Sequence, residues 1–173
     1  MQFSTHTYEF VGYQNYEKTQ KKIETLLFDA FEAENYRFLM AVNEAVCNAA
    51  RYSIYRPQNA RITIEVRIMN YDVAVKVSSA TSPFRAVEYQ KKLRRILENK
   101  ESCKMEWGDY LGFQLASRGF FYMLSAVDYL YVDEKGQHVT LCAKTPYDPS
   151  QPYSTKIGDI IPKFLVSKNG VIV

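Results

Sequence analysis

The sequence predicts an α+β fold, a two-layer α/β sandwich whose mixed, mostly antiparallel sheet is covered by helices on one face. Three observations lead there. Two early segments carry apolar residues at helical spacing. The period then switches to strict alternation over RITIEVRIM and again over residues 73–77. A second helical stretch follows, and a second alternating pair closes the pattern. With 173 residues, 47% hydrophobic and 24% charged, the chain has the size and composition of one domain with a substantial core.

Residues 2–10 read as a strand. Asn15 is placed as the N-cap of a helix running to about Phe31, with Ile23, Leu26, Leu27 and Ala30 on one face. A second helix spans roughly 35–52, and Phe38, Val42, Ala45, Val46 and Ala49 form its apolar stripe. Ile62, Ile64, Val66 and Ile68 alternate with polar residues, Asn70-Tyr71-Asp72 turns the chain, and Val73, Val75 and Val77 alternate again, which predicts a hairpin with one wet face. The loop SSATSPF leads to a helix at about 85–99 with Ala86, Leu93, Ile96 and Leu97 inward. After the polar connection ENKESCKMEWGD, residues Leu111, Leu115 and Tyr122 suggest a helix to about Leu124. Segments 127–133 and 137–144 form a final hairpin around Glu134-Lys135-Gly136. The division is a main domain at 1–145 and a C-terminal extension at 146–173, which ends in a hairpin at 164–173 turned by Asn169-Gly170.

Composition also excludes function classes. A net charge of +3 is too mild for a nucleic-acid binder, which would carry a clustered basic face. No apolar run approaches a membrane span, and MQFSTHTYEF has neither the basic nor the apolar region of a signal peptide. Cys47, Cys103 and Cys142 have no metal-ligand spacing, and their odd number argues against a disulfide framework. A cytoplasmic protein with reduced thiols is expected. The 14 Tyr and 10 Phe are spread along the whole chain and read as packing. His6 and His138 have no triad or metal partner in sequence.

The stretch NEAVCNAARYS holds the candidate chemistry. Glu44 and Asn48 stand four apart on a helix, share one face and can converge on one ligand. Mg²⁺ takes oxygen ligands and keeps several waters, so one amide oxygen plus phosphates is a reasonable partial shell. A carboxylate one turn away suits deprotonation of a hydroxyl or water. The other reading is structural: Asn48 caps or bridges within the core, Glu44 is solvated, and the spacing arises by chance. Cys47 reads as a small buried apolar residue. The run QKKLRRILENK reads as the wet face of an amphipathic helix, or else as a phosphate or acidic-partner contact.

The order of these segments resembles the Bergerat-fold (GHKL, histidine-kinase-like) ATPase domain, and within it the bacterial anti-sigma-factor serine/threonine kinases. MAVNEAVCNAARYS is similar to the family's N box, VKVSSATSPF to its first glycine box, and GDYLGFQLASRGFFYMLSAVDYLYVDEKGQHVTL to its second glycine box and closing hairpin. The resemblance covers roughly 35–144. It implies ATP and Mg²⁺ as cofactors, held between the helical layer and a lid in the place of QKKLRRILENK. It makes Glu44 the catalytic base and Asn48 the Mg²⁺ ligand, and assigns Asn48, Ser79, Thr81, Gly108, Leu111 and Gly112 to nucleotide binding.

Several positions depart from the family. Its first glycine box reads Asp-x-Gly-x-Pro-Phe, and the matching residues here are Ser79, Thr81, Pro83 and Phe84. Exchanging a charged acceptor for a neutral, shorter hydroxyl removes roughly 1.5–3 kcal/mol of adenine recognition. Threonine adds a β-branched side chain where backbone should approach the base. The family's Gly-x-Gly-Leu-Gly becomes Gly108-Asp109-Tyr110-Leu111-Gly112, a turn still able to feed a helix N-terminus suited to phosphate. Asp109 there either repels phosphate or serves as the helix N-cap. Tyr52 stands where the family often has histidine.

Two functional expectations follow. One is a regulator that binds a sigma factor or an anti-anti-sigma factor and phosphorylates a partner on serine; the family's tendency to dimerise implies a homodimer. The other is an inactive pseudo-ATPase on the same fold, acting only through protein–protein contacts. Apart from both stands an unrelated α/β sandwich with a coincidental N box.

Overall fold

The computed structural model of the chain describes residues 3–112, 117–151, 153–168 and 171–172. Strand β1 (Ser4–Val11) is followed by helices α1 (Tyr16–Phe31) and α2 (Tyr36–Arg51) and by strands β2 (Arg61–Met69) and β3 (Asp72–Ser79). Then come α3 (Ala86–Ile96), the short α4 (Lys100–Lys104) and α5 (Trp107–Leu111), and α6 (Arg118–Ser125). Strands β4 (Tyr129–Asp133) and β5 (His138–Lys144) precede α7 (Ile157–Ile160), β6 (Phe164–Lys168) and β7 (Val171–Ile172). The seven strands form one sheet in the order β1-β2-β3-β5-β4-β6-β7. Every neighbouring pair is antiparallel except β4 and β6. This is the two-layer, mostly antiparallel α+β sandwich expected from the sequence.

The alternation sets the two faces. Ile62, Ile64 and Val66 on β2, Val73, Val75 and Val77 on β3, Leu130 and Val132 on β4, and Leu141 and Ala143 on β5 are all buried beneath the helices. The register matches inner residues across strands, with Val66 opposite Val75 and Val75 opposite Leu141. On the other face Arg61, Arg67, Asp72, Tyr129, His138 and Lys144 are exposed. Ile23, Leu27 and Phe31 of α1 and Phe38, Val42, Ala45 and Val46 of α2 complete the core.

Local details differ from the sequence expectation. Asn15 precedes α1 without capping it; its side-chain amide donates to the Val11 carbonyl at 2.6 Å. Asn35 is the capping residue that binds backbone, its Oδ1 accepting from the Phe38 N–H at 3.1 Å. The polar connection after α3 is not a loop throughout. Asn99 accepts from the N–H groups of Glu101 and Ser102 and starts α4. The helix expected from Leu111 onward is broken: Leu111 ends α5, Gly112 takes a positive φ of 54°, and α6 begins at Arg118. Leu115 lies outside the described residues, as do Asn169 and Gly170 between the antiparallel β6 and β7.

The C-terminal segment is built into the core. Ile157, Ile160, Ile161, Phe164 and Val166 are buried in the same cluster as α2 and β3. The Gln90 amide, itself buried, donates to the Phe164 carbonyl at 3.1 Å and ties α3 to β6.

Candidate functional site

Helix α2 crosses the inner sheet face so that its C-terminal half roofs a cavity of about 460 Å³, within the roughly 300–1,000 Å³ of small-molecule sites. Val77, Val139, Leu130 and Val132 form its floor. Pro83, Phe84, Tyr89, Phe120 and Met123 make apolar walls, and Glu44, Asn48, Arg51, Thr81 and Ser117 supply polar groups. The i,i+4 pair therefore does share one wall, as its spacing predicts. Among the described residues neither side chain makes a hydrogen bond or ion pair, so both are available to a ligand.

Three structural devices shape this space. The first is Gly119 on α6. A Cβ built there would collide with the Glu44 carboxylate, reaching 2.5 Å from Cδ. The missing side chain lets α6 approach α2 and leaves Glu44 beside the first turn of α6, where an anion is stabilised by roughly 0.3–1 kcal/mol. The second is the 79–84 loop. Ser79 N–H donates to the Gln137 carbonyl at 3.0 Å, Thr81 Oγ1 to the Gly136 carbonyl at 3.1 Å, and Phe84 N–H to the Lys135 carbonyl at 2.9 Å. Gly136, at φ 72°, leaves room for Phe84 on the hairpin turn. The loop is also bound to the end of α2, with Ser82 N–H donating to the Tyr52 carbonyl at 2.8 Å. The third is an aromatic wall: the Tyr89 ring lies 5.3 Å from Phe84 and 5.1 Å from Phe120. Burial pushes the Tyr89 phenol above its ordinary value, and its hydrogen bond with Ser117 pulls it partly back.

The other expected site residues lie elsewhere. Ser79 shares the inner face with Val77, two residues away, yet its Oγ is enclosed and has no hydrogen-bond partner among the described residues. It does not line the cavity. Gly108, Leu111 and Gly112 also stand outside the lining, on α5 and at its end. Helix α5 is held instead by the C-terminal segment, through the Trp107 N–H to the Thr155 carbonyl at 2.9 Å. Asp109 is the third residue of α5, and Ser117 occupies the position before α6 without a side-chain cap. The Gly112 carbonyl accepts from the Arg118 guanidinium.

Sequence reasoning missed Gly119, Tyr89, Phe120 and Ser117. The only available signal was a glycine between Arg118 and two phenylalanines at a helix start. Tyr89 stands one residue before the expected lid and read, with the other Tyr and Phe residues, as packing.

For Mg²⁺ and a nucleotide, the cavity volume and the unengaged Asn48 and Glu44 fit. Mg²⁺ bound to phosphates needs only one or two protein oxygens. Among the described residues no group of three or more His, Cys, Asp or Glu side chains stands together to hold a metal alone. No described helix is long and apolar enough to cross a membrane. No protein-family model matches the chain, and no curated protein matches it.

Proposed function

We propose that this protein is a cytoplasmic regulatory module resembling the anti-sigma-factor kinases, which holds a nucleotide beneath α2 and acts on a protein partner. The observation supporting this is the placement of Glu44 and Asn48, unengaged, on one wall of a cavity otherwise lined by apolar and aromatic side chains. On this reading the base stacks among Phe84, Tyr89 and the floor valines. Asn48 offers its amide oxygen to Mg²⁺, which neutralises phosphate charge when bound. Glu44 accepts the proton of a serine hydroxyl of the partner.

A second reading is an inactive pseudo-ATPase that works by contact alone. It is favoured by the enclosure of the Ser79 hydroxyl and by the absence of Gly108, Leu111 and Gly112 from the cavity lining. Thermal denaturation separates the two. A nucleotide at about 100 times its Kd adds roughly 2.7 kcal/mol, a shift of several degrees for a chain of this size. The first reading expects that shift with millimolar Mg-ATP, and Asn48→Ala should remove its dependence on Mg²⁺. An unmoved Tm leaves the contact-only module.

A further inference from the structure

The basic run QKKLRRILENK falls on α3 and the turn that leads into α4. Gln90 and Leu93 are buried, while Lys91, Lys92, Arg94 and Arg95 are all exposed. At helical period the four cations share less than half of the circumference, opposite the buried Ala86, Gln90 and Leu93. Tyr89 of the same helix lines the cavity, but none of the four does. The ridge they form is therefore not part of the cavity wall.

Charge is concentrated here. Residues 85–104 contain seven Lys and Arg against three Glu, an excess of four. The whole chain has 22 against 19, an excess of three, so everything outside this segment is net negative by one. Ion pairs stand at the two margins, Arg85 with Glu88 at 3.3 Å and Lys104 with Glu101 at 3.1 Å. Between them Lys91, Lys92, Arg94, Arg95 and Lys100 take part in no ion pair among the described residues. Glu98, just past the helix, is the remaining acid of the segment.

The neighbouring elements do not balance the ridge. Helix α3 packs on β6 and on the turn Ile161–Lys163, which together hold Lys163 and Lys168 and no acid. Lys163 is turned inward and donates to the Val127 carbonyl at 2.7 Å. Glu134 is at the opposite, N-terminal end of α3, where its carbonyl accepts from the Ala86 N–H at 3.5 Å. Arg94 and Arg95 also complement the C-terminal end of the helix dipole, a role that leaves Lys91 and Lys92 unexplained.

We propose that the outer side of α3 docks an acidic segment of a partner protein, with several Asp or Glu side chains laid along the ridge. The helix is anchored for this. The Gln90 amide holds the Phe164 carbonyl at 3.1 Å and Leu93 is buried, so the cations stand on a fixed backbone. An 11-residue helix is about 16 Å long, enough for three turns of an acidic helix or about five extended residues. A membrane fits less well, because α3 exposes no large hydrophobic side chain to enter a bilayer. Nucleic acid also fits less well. No exposed aromatic stands on α3 to stack a base, and the rest of the chain is net negative. The proposal stands without the nucleotide reading, since the ridge lies outside the cavity.

Fluorescence anisotropy of a labelled oligoglutamate peptide, titrated with the full chain in the absence of nucleotide, tests the ridge. At low salt, half-saturation is expected below about 100 µM. Raising the salt to about 300 mM should weaken binding at least about tenfold. Lys91→Glu/Arg95→Glu, at two exposed positions, should raise the Kd at least about tenfold, with circular dichroism as the check on folding. Lys91→Gln/Arg95→Gln should shift it in the same direction by less. Lys18→Glu/Lys21→Glu makes an equal charge change at exposed positions of α1 and should leave the Kd within about threefold. Absence of binding at about 100 µM chain overturns the proposal. So does a Lys91→Glu/Arg95→Glu variant that binds as wild type does, or a Lys18→Glu/Lys21→Glu variant that loses as much. Tighter binding to oligothymidylate or to phosphatidylserine vesicles than to the peptide would overturn the choice of a protein partner.

Discussion

A Cβ on Gly119 would stand 2.5 Å from Cδ and 2.9 Å from Cγ of Glu44, so the two residues cannot change independently. Alanine ordinarily stabilises a helical glycine position by about 0.4–1 kcal/mol. Here the methyl must push the Glu44 carboxylate away from α6 and into the cavity. Gly119→Ala should therefore destabilise the wild type by about 1 kcal/mol yet stabilise a Glu44→Ala background. Urea denaturation of the four proteins in that cycle measures the coupling, and additive effects would mean that Glu44 does not rest on Gly119. The wall made by Glu44 and Asn48 was legible because it depends only on helical period. Gly119 was not, because nothing in a sequence says which helix will lie against which. Ser79 shows the converse: its strand register was legible, but whether its hydroxyl would face open space depends on atoms from distant segments.

Among the elements, β2 with β3 and β4 with β5 were readable because hairpins are local and one wet face enforces alternation. The helix breaks were not. Leu111 and Tyr122 fall on a plausible common period, but the positive φ of Gly112 ends one helix before the next begins. FLVSK was legible as one strand of a hairpin at 164–173, but its parallel pairing with β4 was not, since that partner lies more than 30 residues earlier in the chain. Its placement matters to the site. Phe164 packs against Tyr89 and Phe120, with ring centroids 6.2 and 5.0 Å away, and so backs the aromatic wall of the cavity. Phe164→Ala should cost about 3–5 kcal/mol and loosen that wall. Chemical denaturation gives the first quantity, and near-ultraviolet circular dichroism of the aromatic cluster reports the second. A loss below about 1 kcal/mol would mean that β6 is peripheral to the fold.

On the scale of the whole molecule, sheet order could not come from local patterns: β5 lies between β3 and β4, and β6 extends the sheet beyond β4. That arrangement buries several protonated groups and makes stability depend on pH on the alkaline side. Burial, with Asp72 and Asp128 nearby, pushes the Cys142 thiol up to about 11 from 9.0. Burial, followed by the charge of Asp128, pushes the Tyr153 phenol up to about 12 from 10.0. Tyr16, whose hydroxyl donates to Asn43 Oδ1 at 2.7 Å, is raised as well, mainly by burial. Each group ionises first in the unfolded chain, which then holds fewer protons than the folded one, so stability falls as pH rises. The contribution of Cys142 is complete below about pH 9 and lost between about 9 and 11; that of Tyr153 is lost between about 10 and 12. Because Cys142 is partly exposed, its share is at most about 2 kcal/mol. Urea midpoints measured from pH 8 to 11 should therefore decline with a slope that Cys142→Ala reduces in the lower part of the range. An unchanged slope in that variant would mean that the thiol ionises as readily folded as unfolded, and that the outer sheet face around β5 is more open to water than its packing implies.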